Sequence, residues 1–289
     1  MSGRPPSSSG GGRRVPDIHV DVDRAISWGH VDLGLSGKAC IVTGATSGIG
    51  AAVTRMLLDE GAGVLLVARN EHKLAAAADV RGATCAADVS DPDAAERIVA
   101  ACESAFGRVD VLVNGAGTSS VAPLDELGDE DWQAQWELNV MASLRLMRIA
   151  APKMAERGWG RIVNVASSSG KRPSTRNAAY SVAKAAQMSL SRVFADEYVG
   201  KGVLVNAVAP GPTATELWTG EAGLAAQAAE RAGTSREDEL AAAAAKVPLG
   251  RLAEPDEVAA VIVFLCSERA SDVAGASWSV DGGSVPFFL

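Results

Sequence analysis

An α/β fold, a parallel sheet covered by helices on both faces, is what this sequence predicts, and three observations lead to it. From Lys38 onward, short apolar runs alternate with helix-length segments, the rhythm of strands joined by crossover helices. Aromatic residues make up only 4% of the chain while Gly and Ala abound, a composition suited to close helix-on-sheet packing. With 289 residues and 47% apolar content there is material for a large core.

Residues 1–14 are mostly Pro, Ser, Gly and Arg, too poor in apolar surface to order themselves, and read as a disordered tail. Residues 15–35 mix His19, Asp21, Asp23, Trp28, His30 and Asp32 with apolar neighbours and read as an arm packing on the domain or a partner subunit; no metal site is expected. Residues 36–289 form the domain. Strand one is predicted over Ala39–Thr43 with a helix over Ile49–Glu60, strand two over Gly63–Ala68 with a short helix after Asn70, and strand three over Thr84–Ala87. A helix capped by Asp91, with Pro92 in its first turn, ends near Phe106. Strand four is Val109–Val113; one long helix over Glu130–Arg157 leads to strand five at Arg161–Ala166. The helix carrying Tyr180 leads to strand six, Val203–Val208. An Ala-rich segment, Thr215–Lys246, then breaks the rhythm where a substrate lid belongs, at about 212–247, before a helix over Glu254–Cys266 and a last strand over Ser277–Val280.

A net charge of −8 argues against nucleic acid or an anionic membrane as the main partner. Cys40, Cys85, Cys102 and Cys266 are widely spaced, as reduced structural thiols of a cytoplasmic protein are. No run approaches the ~18 apolar residues of a membrane span, and no apolar region follows Arg13-Arg14 to make an export signal.

Two stretches carry chemistry. Between strand one and its helix lies Thr43-Gly44-Ala45-Thr46-Ser47-Gly48-Ile49-Gly50, whose glycines allow a tight turn and close backbone approach while the helix N-terminus offers N–H groups to a diphosphate. Strand two ends at Ala68-Arg69, where an NAD site places an acid; Ala68 removes that charge and Arg69 offers a partner to a 2′-phosphate, favouring NADP(H) over NAD(H). Asp88-Val89 and Asn114-Gly115-Ala116-Gly117 end strands three and four, on the edge where ligands of such sheets bind. The second stretch holds Tyr180 and Lys184, one helical turn apart, with Ser167 thirteen residues before Tyr180 at the end of strand five. An ammonium about 4 Å from a phenol, at an effective dielectric of ~20, favours the phenolate by up to ~4 kcal/mol, roughly three pK units. Tyr180 is therefore expected to be unusually acidic.

Taken together these motifs resemble the short-chain dehydrogenase/reductase family, the 3-oxoacyl-carrier-protein-reductase branch in particular, over about Leu33 to Gly283: Thr43-Gly-x-x-x-Gly-x-Gly50, Asp88, Asn114-x-Ala-Gly117, Asn139, Ser167, Tyr180-x-x-x-Lys184 and Pro210-Gly211 recur in order. The resemblance implies a single Rossmann-type domain with a seven-stranded sheet in the order 3-2-1-4-5-6-7, and a homotetramer or homodimer. It implies that Tyr180 exchanges a proton with the substrate oxygen, Ser167 orients that oxygen, Lys184 holds the nicotinamide ribose and Asn139 anchors a water behind Lys184; the residues alone would place Asn139 on an exposed helix face. It further implies that Pro210, Gly211, Thr213 and Thr215 lie against the nicotinamide. Gly115 stands where the family more often has Asn, and Thr213 where it more often has Val or Ile. Thr118–Val121, Ser168–Thr175 and Pro212–Trp218 are expected to bound the substrate pocket with the lid; Arg172 and Arg176 read as surface charge more readily than as anion ligands. The leading functional reading is an NADP(H)-dependent reductase of a small-molecule ketone, with 3-oxoacyl or polyketide-like substrates as candidates. An NAD-dependent secondary-alcohol dehydrogenase and a non-catalytic cofactor sensor stay open beside it.

Overall fold

The computed structural model describes residues 31–78 and 81–287, so the predicted tail and most of the predicted arm lie outside the described residues. Leu33–Leu289 form one compact unit. Its strands are β1 Ala39–Thr43, β2 Gly63–Ala68, β3 Gly82–Ala86, β4 Val111–Asn114, β5 Gly160–Val165, β6 Val203–Pro210 and β7 Ser277–Val280. All pair in parallel in the order β3-β2-β1-β4-β5-β6-β7, as the resemblance implied. The helices are α1 Gly48–Asp59, α2 Glu71–Ala77, α3 Ala94–Phe106, α4 Asp129–Trp136, α5 Ala142–Glu156, α6 Ser168–Lys171, α7 Ala178–Tyr198, α8 Glu216–Thr219, α9 Leu224–Ala232, α10 Arg236–Ala245 and α11 Pro255–Cys266.

Two cores sandwich the sheet, and alternation along each strand divides it between them. On one face Cys40 and Val42 of β1 and Val64 and Leu66 of β2 meet Val53 and Leu57 of α1 and Val258 and Ile262 of α11. On the other, Ile41, Leu65 and Val67 meet Ile98 of α3 and Leu146 and Met147 of α5. Each fully buried Leu or Ile contributes roughly 1.5–3 kcal/mol. This holds the sheet rigid, and with it the strand ends where the site is built.

Two predictions require correction. Asp91 does not cap α3, which starts at Ala94: the Asp91 carbonyl closes a turn with the Ala94 amide, and its carboxylate pairs with Arg97 instead. The long helix over Glu130–Arg157 is not one α-helix: a turn of π-helix, Glu137–Met141, separates α4 from α5. Such a turn rotates the helix face by inserting an extra residue per turn. Asn139, expected on an exposed face by residue pattern alone, is fully buried as a result.

Candidate active site

β5 is buried along its whole length and stops at Val165; two residues later the chain is still extended at Ser167, whose hydroxyl caps α6 by accepting from the Ser169 amide at 3.1 Å. α7 returns alongside and presents Tyr180 in its first turn, with its phenol beside Ser167. One turn on, Lys184 is buried, its Nζ donating to the Val165 carbonyl at 2.6 Å and to Gln187 Oε1 at 3.0 Å. Gln187 Nε2 donates to Ser143 Oγ, and Ser143 donates to the Asn139 carbonyl. Asn139 Nδ2 is held by both oxygens of Gln135, leaving Oδ1 buried without a protein partner. Gly117 closes this group: a methyl on its Cα would lie 3.1 Å from Asn139 Oδ1 and 3.5 Å from Lys184 Nζ. The sequence therefore brings Ser167, Tyr180, Lys184 and, through the π turn, Asn139 into one cluster.

The electrostatics differ from the expectation of an acidic phenol. Burial pushes the Tyr180 pKa above its ordinary value, and the neighbouring Ser167 hydroxyl only partly offsets this. Burial drives Lys184 down to about 7. Lys184 does not acidify the phenol because its Nζ is turned to the end of β5, 5.6 Å from the centre of the Tyr180 ring, and is itself half neutral near pH 7. At neutral pH the phenol holds its proton.

Ser167, Tyr180 and Lys184 line a cavity of about 140 Å³ together with Ile49, Gly115, Gly117, Pro210, Gly211, Thr213 and Thr215. Gly117 is shared with a second cavity of about 440 Å³, lined by Gly44, Thr46, Ser47, Arg69, Asp88, Val89 and Ala116. The two meet over the carboxyl ends of β1, β2 and β4, where a dinucleotide fits. The fit rests on the glycine turn: a Cβ on Gly44 would come within 3.0 Å of the Ala116 backbone, and one on Gly50 within 2.2 Å of the Gly44 carbonyl oxygen, so only glycine allows this cradle. Arg69 and Asp88 face each other at 3.8 Å on the rim.

Four expected site residues line neither cavity. Asn114 lies buried beneath, donating to Asn164 Oδ1 at 2.7 Å; Gly50 packs under the turn; Gly48 lies against Thr215; and Asn139 sits behind Gly117. Thr213 donates its hydroxyl to the Gly211 carbonyl and Thr215 to the Thr213 carbonyl, leaving only acceptor lone pairs toward a ligand. Sequence reasoning named Thr43 only as the start of the glycine motif and missed its role: its hydroxyl takes both the Gly115 and Ala116 amides at 3.0 and 3.1 Å. A Cβ at Gly115 would lie 2.7 Å from the Thr43 carbonyl oxygen, which explains glycine at that position. Lys73 was missed too: it lines the larger cavity and pairs with Glu216 of α8 at 3.5 Å. Asn70, whose side chain caps α2 at the Lys73 amide, was the available signal that α2 starts there and turns Lys73 to the groove. Ser119 was missed as an individual residue; it is buried in the smaller cavity with no partner for its hydroxyl.

Next to the smaller cavity lies a third, of about 280 Å³, between α6, the start of α7 and the Ala-rich insertion. The two share Ser168, Ser169, Asn177, Pro212, Trp218 and Leu224. Arg172 and Arg176 are solvent-exposed, as surface charges are, and also stand on the rim of the outer chamber.

Comparison with known proteins agrees with this geometry. Residues 38–223 match the family model for short chain dehydrogenase. The chain is 36% identical to D-threitol dehydrogenase of Mycolicibacterium smegmatis over 264 residues, covering 87% of this chain and 94% of that protein. It is 33% identical to the 3-oxoacyl-[acyl-carrier-protein] reductase FabG of Vibrio cholerae over 254 residues, covering 87% and 98%. The crystal structure of L-sorbose reductase from Gluconobacter frateurii complexed with NADPH and L-sorbose superposes with a TM-score of 0.83 at 38% identity, covering 89% of this chain and all of that one. The chain belongs to the short-chain dehydrogenase family, and it is an oxidoreductase that uses a nicotinamide cofactor on the alcohol or carbonyl group of a small molecule.

Proposed function

We propose that this short-chain dehydrogenase works as an NADPH-dependent ketoreductase. The observation that carries the reading is the Ser167–Tyr180 pair: a phenol whose pKa is raised by burial, lining one cavity with a serine hydroxyl at the mouth of a groove that fits a dinucleotide. The cofactor, when bound, supplies hydride to the carbonyl carbon. The chain's own groups then act on the oxygen. Ser167 donates to it and holds it in place, while Tyr180, protonated in the resting protein, gives up its proton as negative charge develops there. Lys184, fixed by Val165 and Gln187, holds the ribose and, with Asn139 and its unpartnered Oδ1, returns a proton to the phenol from behind Gly117. The raised phenol pKa keeps Tyr180 in the acid form from which reduction starts.

For NADPH over NADH the support is local charge. β2 ends in Ala68 with no acid, and both Arg69 and Lys73 stand on the larger cavity. A 2′-phosphate offers these cations a partner that displaces the exposed carboxylates of Asp88 and Glu216. Simple ketones, ketoses and 3-oxoacyl thioesters are the substrates to try first, as the relatives act on a polyol, a ketose and 3-oxoacyl groups. The chain belongs in the cytoplasm as a homotetramer or homodimer; its four cysteines are free, and Val182 and Val193 give α7 an exposed apolar face for a second copy. The test is a ketone panel followed by NADPH absorbance, repeated with NADH: turnover with kcat/KM at least tenfold higher for NADPH supports the reading, and no turnover with any ketone refutes it.

A further inference from the structure

The outer chamber is unlike the rest of the molecule. The whole chain carries a net charge of −8, yet Arg172, Arg176 and Lys246 all line this cavity and Glu239 is its only acid. Glu239 faces Arg176 at 3.8 Å and balances it. Arg172 is tied by one weak bond, 3.3 Å, to the Ser284 carbonyl, which takes no charge from it. Arg172 and Lys246, both solvent-exposed, thus stand on this wall with no carboxylate but that of Glu239 among its other lining residues, beside an apolar stretch of Trp218, Leu224, Ala228 and Val247 and a polar one of Ser168, Ser169, Ser174, Asn177 and Ser284.

We propose that the physiological substrate carries a carboxylate several carbons from its ketone, held by Arg172 and Lys246 in the outer chamber while the ketone meets Ser167 and Tyr180 in the inner one. This rests on the ketoreductase reading and extends it to a substrate class. The six residues common to both linings make the two cavities adjoin, close enough for one molecule to reach both. The apolar wall takes a ring or short alkyl spacer. An α-keto acid would place its carboxylate beside Tyr180, where no cation other than Lys184 lines the cavity, and Lys184 is engaged by Val165 and Gln187. A neutral ketone would make no charge contact with Arg172 or Lys246, which stay hydrated at the rim.

The test compares 4-oxocyclohexanecarboxylate with its methyl ester, which differ in charge and little in shape. The wild-type protein should favour the acid by about tenfold in kcat/KM, the scale of two partly exposed charge contacts. The Arg172→Gln/Lys246→Gln double variant should bring the ratio close to one. Glu239→Gln, which frees Arg176, should raise it, a gain that damaged folding does not produce; if the double variant does not fold, Lys246→Gln and Glu239→Gln decide the matter. As a readout without turnover, the acid should raise the Tm of the NADPH-loaded protein more than the ester does. Equal kcat/KM for acid and ester, a ratio the variants leave unmoved, or no difference in Tm shift would overturn the proposal. Reduction of neutral ketones with no acid preference overturns it alone; inactivity on every ketone instead sinks the ketoreductase reading beneath it.

Discussion

The wall of the cleft that takes the cofactor is made largely of backbone and glycine, whereas the wall facing the substrate is made of side chains from three separate stretches of chain. On the first, Gly44, Gly50, Gly115 and Gly117 bring main chain together at distances no Cβ would allow, on strand ends fixed by two cores. On the second, Arg172 and Arg176 come from the turn before α7, Trp218 and Leu224 from α8 and α9, and Lys246 from the end of α10. The first wall is set by the fold and suits a ligand shared across a family. The second can change residue by residue without disturbing the sheet, so specificity belongs there. Tyr180 sits where the two meet.

Changes on either wall should therefore separate cleanly in their effects. The largest is expected at the junction: Tyr180→Phe should lower kcat by about 10³, within the range for a lost general acid, while NADPH affinity by fluorescence titration stays within about twofold. Comparable loss of both would place the phenol on the cofactor wall alone. On the cofactor wall, Gly50→Ala forces a methyl against the Gly44 carbonyl and should cost about 2–3 kcal/mol of stability, read as a lower urea midpoint at unchanged m-value; an unchanged midpoint would show that the turn has slack. Lys184 offers a pH-dependent version. Its folded pKa, about 7, lies below the ordinary 10.5, so between them the unfolded chain holds a proton that the native protein lacks, and native stability rises with pH. Unfolding of the cofactor-free protein from pH 7 to 9 should show a slope on the order of 1 kcal/mol per pH unit that Lys184→Met removes. An identical slope in the variant would mean that Lys184 is protonated throughout.

Smaller effects are expected farther from the junction. Arg69→Ala should weaken NADPH about tenfold, the scale of one charge-assisted contact, and leave NADH and the ketone KM alone; equal weakening of both cofactors would remove the 2′-phosphate role. Trp218→Ala should shift ketone KM by a few-fold without altering NADPH affinity, as loss of part of an apolar wall does.

The same division explains what was legible in the sequence. The glycine turn, the strands and the Tyr180–Lys184 spacing are local patterns, and the sheet order followed from the family resemblance they carry. What stayed hidden depends on packing between distant segments. Asn139 reaches the site only because a π turn rotates it inward, and no residue between Glu137 and Met141 announces that turn. Lys184 points at Val165 and not at the phenol because Gln187, one turn along α7, is anchored by Ser143 of α5. Asp91 has the residue type of a cap but lies in a turn ahead of α3. Arg172 is a surface charge as its sequence context suggests, but that it shares a chamber with Lys246 at the end of α10 depends on packing between distant segments.

The central claim is that a protonated Tyr180 meets the reacting oxygen beside Ser167. Its most direct test is a crystal structure with NADP⁺ and an alcohol product or unreactive ketone analogue. The account predicts Tyr180 Oη and Ser167 Oγ both at about 2.6–3.2 Å from the ligand oxygen, with Lys184 Nζ on the ribose; a ligand oxygen bound elsewhere, with the phenol out of hydrogen-bond reach, would contradict it.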